Sequence, residues 1–134
     1  MCGIFGYYGR RDATPILVEG LRRLEYRGYD SSGIAVKNNG INIYKKSGKV
    51  ERLSEMITTE VEGTIGIAHT RWATHGEAND INAHPHLSFD GKVAIVHNGI
   101  IKNFREVRRN LTQKGVELNS ETDSEVLAQL IALE

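Results

Sequence analysis

A largely antiparallel α+β fold is predicted by three observations. A strand-like run and a turn lead straight into a helix at the N-terminus, a hairpin signal follows, and later strands succeed one another without the regular helix-strand alternation of a parallel doubly wound sheet. Gly3 to Tyr8 is rich in small and β-favouring residues and is broken by Gly9-Arg10-Arg11-Asp12, which reads as strand then turn. Thr14 as N-cap and Pro15 at the first helical position open a helix that carries Ile16, Leu17, Leu21 and Leu24 at helical spacing and ends near Tyr26. Ile34 to Val36 and Ile41 to Tyr44 flank Asn38-Asn39-Gly40, residues that tolerate positive φ, so the pair reads as a β-hairpin. Val50 to Thr58 is a weakly amphipathic helix, and Thr64 to Thr70 is a strand running into a polar, irregular stretch from Arg71 to His86. A loop of that length in a small domain is functional or disordered. This one holds an Arg, a Trp, a Pro and three of the five histidines, which favours function. Lys92 to Val96 is a further strand, Asn103 to Lys114 a helix stopped by Gly115, and Val116 to Leu118 a short strand. Thr122 and Glu125 match a capping box for a last helix, Asp123 to Leu133.

Composition limits the function classes. The 134 residues suit one domain or a piece of one, and 40% hydrophobic content is ordinary for a globular chain. Seventeen basic residues balance seventeen acidic ones, so no overall field attracts nucleic acid or an anionic membrane surface, and any ligand must be held by local charge. A single cysteine excludes an internal disulfide framework, no apolar run approaches a membrane span, and Arg10, Arg11 and Asp12 interrupt the N-terminus before a signal-peptide core can form. A reducing cytoplasm is the expected location.

That one cysteine, Cys2, follows the initiator Met1. Removal of Met1 would give one residue both a free α-amine and a thiol. An α-amine titrates near neutrality and can serve as base toward its own side chain, so such a nucleophile needs no histidine partner. The plain alternative is a small buried hydrophobe. Three other segments supply complementary chemistry. Arg71 with Thr74 and His75 forms an anion-binding cluster, Asn98-Gly99 offers a carboxamide and an unhindered backbone N–H, and Asp123 offers a carboxylate. Thiolate attack on a carboxamide makes a tetrahedral oxyanion, which a donor pair such as Asn98 and Gly99 would stabilise. A guanidinium and a carboxylate suit the two charged ends of an α-amino acid, and the set implies glutamine. Each piece has a structural reading too: Asn98-Gly99 as a turn, Asp123 as a helix cap, Trp72 as core. His75, His84 and His86 lack Cys or acidic partners at metal-ligand spacing, so no metal or cofactor is expected.

Five ordered motifs carry a resemblance. Met1-Cys2-Gly3-Ile4-Phe5-Gly6, Leu24-Glu25-Tyr26-Arg27-Gly28-Tyr29-Asp30-Ser31-Ser32-Gly33, Ala68-His69-Thr70-Arg71-Trp72-Ala73-Thr74-His75-Gly76, His97-Asn98-Gly99-Ile100-Ile101 and Ser120-Glu121-Thr122-Asp123 resemble the glucosamine-6-phosphate synthase family, also called glutamine:fructose-6-phosphate aminotransferase (isomerizing). The resemblance spans nearly the whole chain and implies the N-terminal part of a class II, N-terminal-nucleophile glutaminase domain: an αββα sandwich of mostly antiparallel sheets, here truncated. It implies Cys2 as the nucleophile that forms a γ-glutamyl thioester, and Asn98 and Gly99 as oxyanion hole. For the substrate it implies Arg71 as the α-carboxylate partner, Thr74 and His75 in the same binding loop, Asp123 as the α-ammonium partner, Trp72 as the gate toward an ammonia channel, and Arg27 in support.

It further implies a sugar-phosphate isomerase portion, which binds fructose 6-phosphate and is absent from these residues, a homo-oligomeric parent, and self-association of a chain lacking part of its domain. Two other readings stand beside this one. The chain could be a non-catalytic interaction module that keeps the motifs, or belong to another class II amidotransferase, such as an amidophosphoribosyltransferase.

Overall fold

The computed structural model describes residues 1–57, 61–74 and 76–134. Its elements run β1 (Gly3–Tyr8), α1 (Ala13–Leu24), a 3-10 turn at Glu25–Arg27, β2 (Ser31–Lys37), β3 (Ile41–Ser47), α2 (Val50–Met56), β4 (Ile65–Arg71), β5 (His86–Leu87), β6 (Ala94–Ile95), α3 (Phe104–Gln113) and α4 (Glu125–Leu133). Four strands form one sheet in the order β1-β4-β2-β3, every neighbour antiparallel, and β5 pairs with β6 in a separate two-stranded ribbon. The hairpin lies where Asn38-Asn39-Gly40 placed it, with Asn39 at a φ of 54°. Its strands are longer than apolar content alone indicates, because polar ends such as Ser31 and Ser47 still pair across the ladder.

The pleat sorts the sheet into two faces. Ile34, Val36 and Ala68 turn to one side, where they pack with Leu17 and Leu21 of α1 and Leu53 of α2 into a core flanked by Phe5 and Tyr7. These three leucines are fully buried, and each such side chain contributes about 1.5 to 3 kcal/mol. Alternation then sends Ile4, Gly33, Lys45 and His69 to the opposite face, where Lys45, Gly33, His69 and Ile4 stand in register across the four strands. The register of Gly3 opposite Thr70 carries Cys2 alongside Arg71 at the end of that same face.

The segment 81–86 lies on this second face. The Lys45 ammonium donates to the carbonyls of Ile81 at 2.9 Å, Ala83 at 2.8 Å and Pro85 at 3.3 Å, and Gly33 leaves room beneath the His84 carbonyl. A β-carbon at Gly33 would collide with that carbonyl oxygen and stand 2.8 Å from Lys45 Cβ. Gly33→Ala is therefore expected to cost about 3 kcal/mol, measured by denaturant unfolding, because both obstacles are held by strand pairing and hydrogen bonds. A second apolar cluster, Leu111, Val116 and Val126 with Phe104 and Val107, joins α3 to α4.

Local signals fail where tertiary partners compete. Thr14 does not cap α1. Asp12 holds that position, and the Thr14 hydroxyl donates to the Val61 carbonyl at 3.2 Å. Val116 to Leu118 forms no strand; it is irregular chain whose Val116 packs under α3 and α4. The last helix begins at Glu125 rather than Asp123. The Glu125 carboxylate accepts from the Asn119 N–H at 2.9 Å and the Ser120 N–H at 2.7 Å, while the Thr122 hydroxyl meets His86 Nε2 at 2.8 Å. Neither side chain is left to close the capping box. The helix expected over Val50 to Thr58 ends at Met56, and Thr58 lies outside the described residues. Among the described residues no helix is long and apolar enough to cross a membrane.

Candidate active site

The end of the sheet's second face opens into a cleft of about 480 Å³. Its lining includes Cys2, Arg27, Arg71, Trp72, Thr74, Asn98, Gly99 and Asp123. Eight of the nine residues singled out from sequence thus border one cavity, although they come from five segments of the chain. The ninth, His75, lies outside the described residues.

Cys2 is half-buried immediately before β1. Its Sγ accepts a hydrogen bond from the Trp72 N–H at 3.2 Å, and its S–H reaches the Trp72 carbonyl at 3.6 Å. The thiol is thereby tied to the end of β4 rather than packed into a core. The Met1 ammonium donates to the carbonyls of Arg27 at 2.7 Å and Gly28 at 3.2 Å, and the Arg27 guanidinium approaches Met1 Sδ at 3.3 Å. Arg27 therefore borders the N-terminus itself. Trp72 is 54% exposed, so the expectation of a core tryptophan fails and its indole stands at the cleft wall.

Asn98 bridges the two walls. Its Nδ2 donates to the Cys2 carbonyl at 3.2 Å, and its Oδ1 lies 2.7 Å from His69 Nε2. Asp123 is buried at the floor and does not cap α4, whose N-cap is Ser124. Its Oδ2 accepts from the Ile101 N–H at 2.8 Å, which fixes the chain just beyond Asn98-Gly99. His97 Nδ1 meets the Ser124 hydroxyl at 3.0 Å and ties the same segment to the start of α4.

Arg71 is buried, and one guanidinium nitrogen donates to the Glu77 carbonyl at 3.0 Å. Burial lowers its pKa from the ordinary arginine value, opposed by the nearby groups of Asp30, Cys2, Asp123 and Glu121. An arginine stays cationic under such a shift. The floor thus pairs a fixed positive group with the Asp123 carboxylate, complementary in sign to the two ends of a free amino acid.

Sequence reasoning missed two positions that organise these groups. Asp30 accepts the Ala73 N–H at 2.6 Å and donates its own N–H to the Arg71 carbonyl at 2.8 Å, so it sets the path of the chain from Arg71 to Ala73. His69 contacts Asn98 directly. A legible signal existed for His69, since it lies two residues from Arg71 on a strand and period-2 alternation places both on one face. His84 and His86 are not loop ornaments either. His69 and His84 stack at 4.2 Å and 18°, and His84 meets His86 edge-on at 4.5 Å. All three are buried, and burial pushes all three pKa values down, that of His69 to about 4. Among the described residues no cluster of His, Cys, Asp and Glu has the arrangement of a metal site.

The sequence profile of a glutamine amidotransferase domain matches residues 50–133. This chain belongs to that family. The glutamine amidotransferase domain resembles, at 58% identity over 133 residues, the glutamine--fructose-6-phosphate aminotransferase [isomerizing] of Caldanaerobacter subterraneus subsp. tengcongensis, and at 55% and 56% the proteins of the same name from Bacteroides thetaiotaomicron and Pyrococcus horikoshii. Each alignment covers 98% of this chain and 22% of the relative, so the chain spans about a fifth of the length of these proteins.

Among solved structures, the glutamine phosphoribosylpyrophosphate amidotransferase from B. subtilis superimposes with a TM-score of 0.78 at 28% identity, covering all of this chain and 30% of that one. A structure titled as the allosteric regulatory enzyme of purine biosynthesis superimposes with a TM-score of 0.84 at 29% identity, with the same coverage. The antiparallel α+β architecture of this glutamine amidotransferase domain is therefore the N-terminal-nucleophile one that its motifs implied. Its sequence stands nearer the fructose-6-phosphate enzymes than the amidophosphoribosyltransferases, by 53–58% against 28–29% identity.

Proposed function

We propose that this domain hydrolyses glutamine through Cys2 once Met1 has been removed. The Cys2 thiol passes its proton to the new terminal amine, and the resulting thiolate attacks the side-chain amide carbon. Breaking the C–N bond releases ammonia, which takes that proton, and leaves a γ-glutamyl thioester. Water then adds to the thioester, giving glutamate and restoring the thiol. Asn98 and Gly99 receive the oxyanion in each half. Arg71 binds the α-carboxylate, Asp123 the α-ammonium, and Thr74 and His75 complete the same loop. Trp72 gates the exit of ammonia, and Arg27 supports the N-terminal residue.

The observation that carries this reading is the juxtaposition of Cys2 with Asn98, whose Nδ2 reaches the Cys2 backbone at 3.2 Å in a cleft that Arg71 and Asp123 also line. The names of the relatives extend the proposal. In a protein of their length the ammonia aminates fructose 6-phosphate, supplied by a sugar-phosphate isomerase portion, and the whole enzyme is a cytoplasmic homo-oligomer. Incubating the chain lacking Met1 with glutamine should yield glutamate and ammonia in equal amounts. Asn98→Ala should lower kcat by about 100-fold to 1,000-fold, the usual cost of one oxyanion donor. Equal turnover by the variant would contradict the assignment.

A further inference from the structure

An asparagine donates to an oxyanion only if its NH2 end, and not its oxygen, faces the nucleophile. The two ends are nearly identical in shape, so the choice must come from neighbours. On one side of Asn98 lies the Cys2 carbonyl oxygen, 3.2 Å from Nδ2, which can only accept. That end is therefore NH2. The other end, Oδ1, faces His69 Nε2 at 2.7 Å, and an amide oxygen can only accept there. Nε2 must then carry a proton. The remaining ring nitrogen, Nδ1, is buried and has no hydrogen-bond partner among the described residues. A bare lone pair tolerates that position better than an orphaned N–H, which is the rarer and costlier case.

On the glutaminase reading above, we infer that His69 is a positioning residue, held as the neutral Nε2–H tautomer to lock the Asn98 carboxamide with its NH2 end toward Cys2. Burial and ring stacking oppose a change of state. His69 is fully buried in the middle of β4 and covered by the His84 ring at 4.2 Å. Its neighbours on the sheet are Gly33 and Ile4, neither of which offers a side-chain hydrogen bond. Burial, helped by the Arg71 and His97 charges, holds the ring neutral near pH 7 against the hydrogen bonds to Asn98 and to the His97 backbone. A doubly protonated ring would make the same Nε2–H donation but would carry a charge into this stack, whereas the Nδ1–H tautomer would repel Oδ1 and favour the flipped amide.

The test combines kinetics with a measurement on the unmutated chain. His69→Leu keeps volume and removes the donor, and His69→Gln returns an N–H2 at the reach of Nε2. Relative to the unmutated chain lacking Met1, His69→Leu is expected to lower kcat for glutamine by about 10-fold to 100-fold, part of the value of the donor it orients, with KM changed less than about threefold. His69→Gln should recover to within about fivefold, and His69→Leu added to Asn98→Ala should cost nothing further. Full kcat in His69→Leu, or independent losses in the double variant, would overturn the inference.

Nitrogen-15 NMR of the unmutated chain gives a readout that does not depend on a variant folding. Nε2–H with a bare Nδ1 is expected, and the Nδ1–H tautomer would overturn the inference. Absence of glutamine hydrolysis by the unmutated chain lacking Met1 would instead overturn the glutaminase reading, and this inference with it.

Discussion

Cys2→Ser is expected to reduce glutamine hydrolysis by about 10,000-fold or more while leaving the fold intact. The hydroxyl keeps the shape of the thiol and can still meet the Trp72 N–H, which Cys2 Sγ accepts at 3.2 Å. What it loses is the nucleophile, since a thiolate is accessible near neutral pH and a serine alkoxide is not without a strong base. Removing the nucleophile of a covalent hydrolase costs about this much or more. Stability should change little, because Cys2 is half-buried at the cleft mouth and its side chain contacts the backbone of Trp72 rather than either apolar core. Steady-state rates beside a thermal unfolding curve separate the two quantities. A chain that keeps Met1 should resemble the serine variant in activity, because its amine belongs to the wrong residue and bonds the Arg27 and Gly28 carbonyls at 2.7 and 3.2 Å.

Stability is expected to collapse as the pH falls from 6.5 toward 4.5. His69, His84 and His86 are buried, and all three have folded pKa values below the ordinary 6.5, that of His69 at about 4. In the unfolded chain each would take up a proton below about 6.5. The unfolded state then binds more protons than the folded one, so stability decreases as pH falls through this window. Each histidine contributes a slope of about 1.4 kcal/mol per pH unit, and three give about 4 kcal/mol per unit. Integrated over the two units, with the slope building up below the unfolded pKa, the loss is about 7 kcal/mol, comparable to the 5 to 15 kcal/mol of a typical domain.

Other shifted groups do not cancel the slope. Lys45, with a pKa lowered to about 8, is charged in both states throughout the window, and Asp80, lowered from 3.8, has its effect below it. Denaturant midpoints at pH 7.0, 6.0 and 5.0 would measure the slope, and a flat profile would contradict the neutral histidine stack.

Much of this architecture was legible before any coordinates. β1, the hairpin and the two long helices follow from local pattern, since their apolar periodicity and turn residues agree with the tertiary fold. What escaped depended on distant partners. Thr14 and Glu125 look like capping residues, yet one hydroxyl is taken by Val61 and the other side chain by Asn119 and Ser120. Val116 to Leu118 has the composition of a strand and no neighbour to pair with among the described residues; only Val116 is buried, under α3 and α4.

The site divides in the same way. Residues whose own chemistry is distinctive, such as Cys2, Arg71, Asn98 and Asp123, could be read from motifs. Asp30 and His69 touch the site through other residues: alternation from Arg71 marks the face on which His69 lies but not its contact with Asn98, and nothing linear marks Asp30 as the acceptor of a distant backbone N–H.

The central claim is that the N-terminal thiol of Cys2 is the glutaminase nucleophile, and intact-mass spectrometry after treatment with 6-diazo-5-oxo-norleucine tests it most directly. The account predicts a single adduct on Cys2, confined to chains that lack Met1 and suppressed by excess glutamine. Folded chains lacking Met1 that acquire no adduct, or chains retaining Met1 that react equally well, would contradict it.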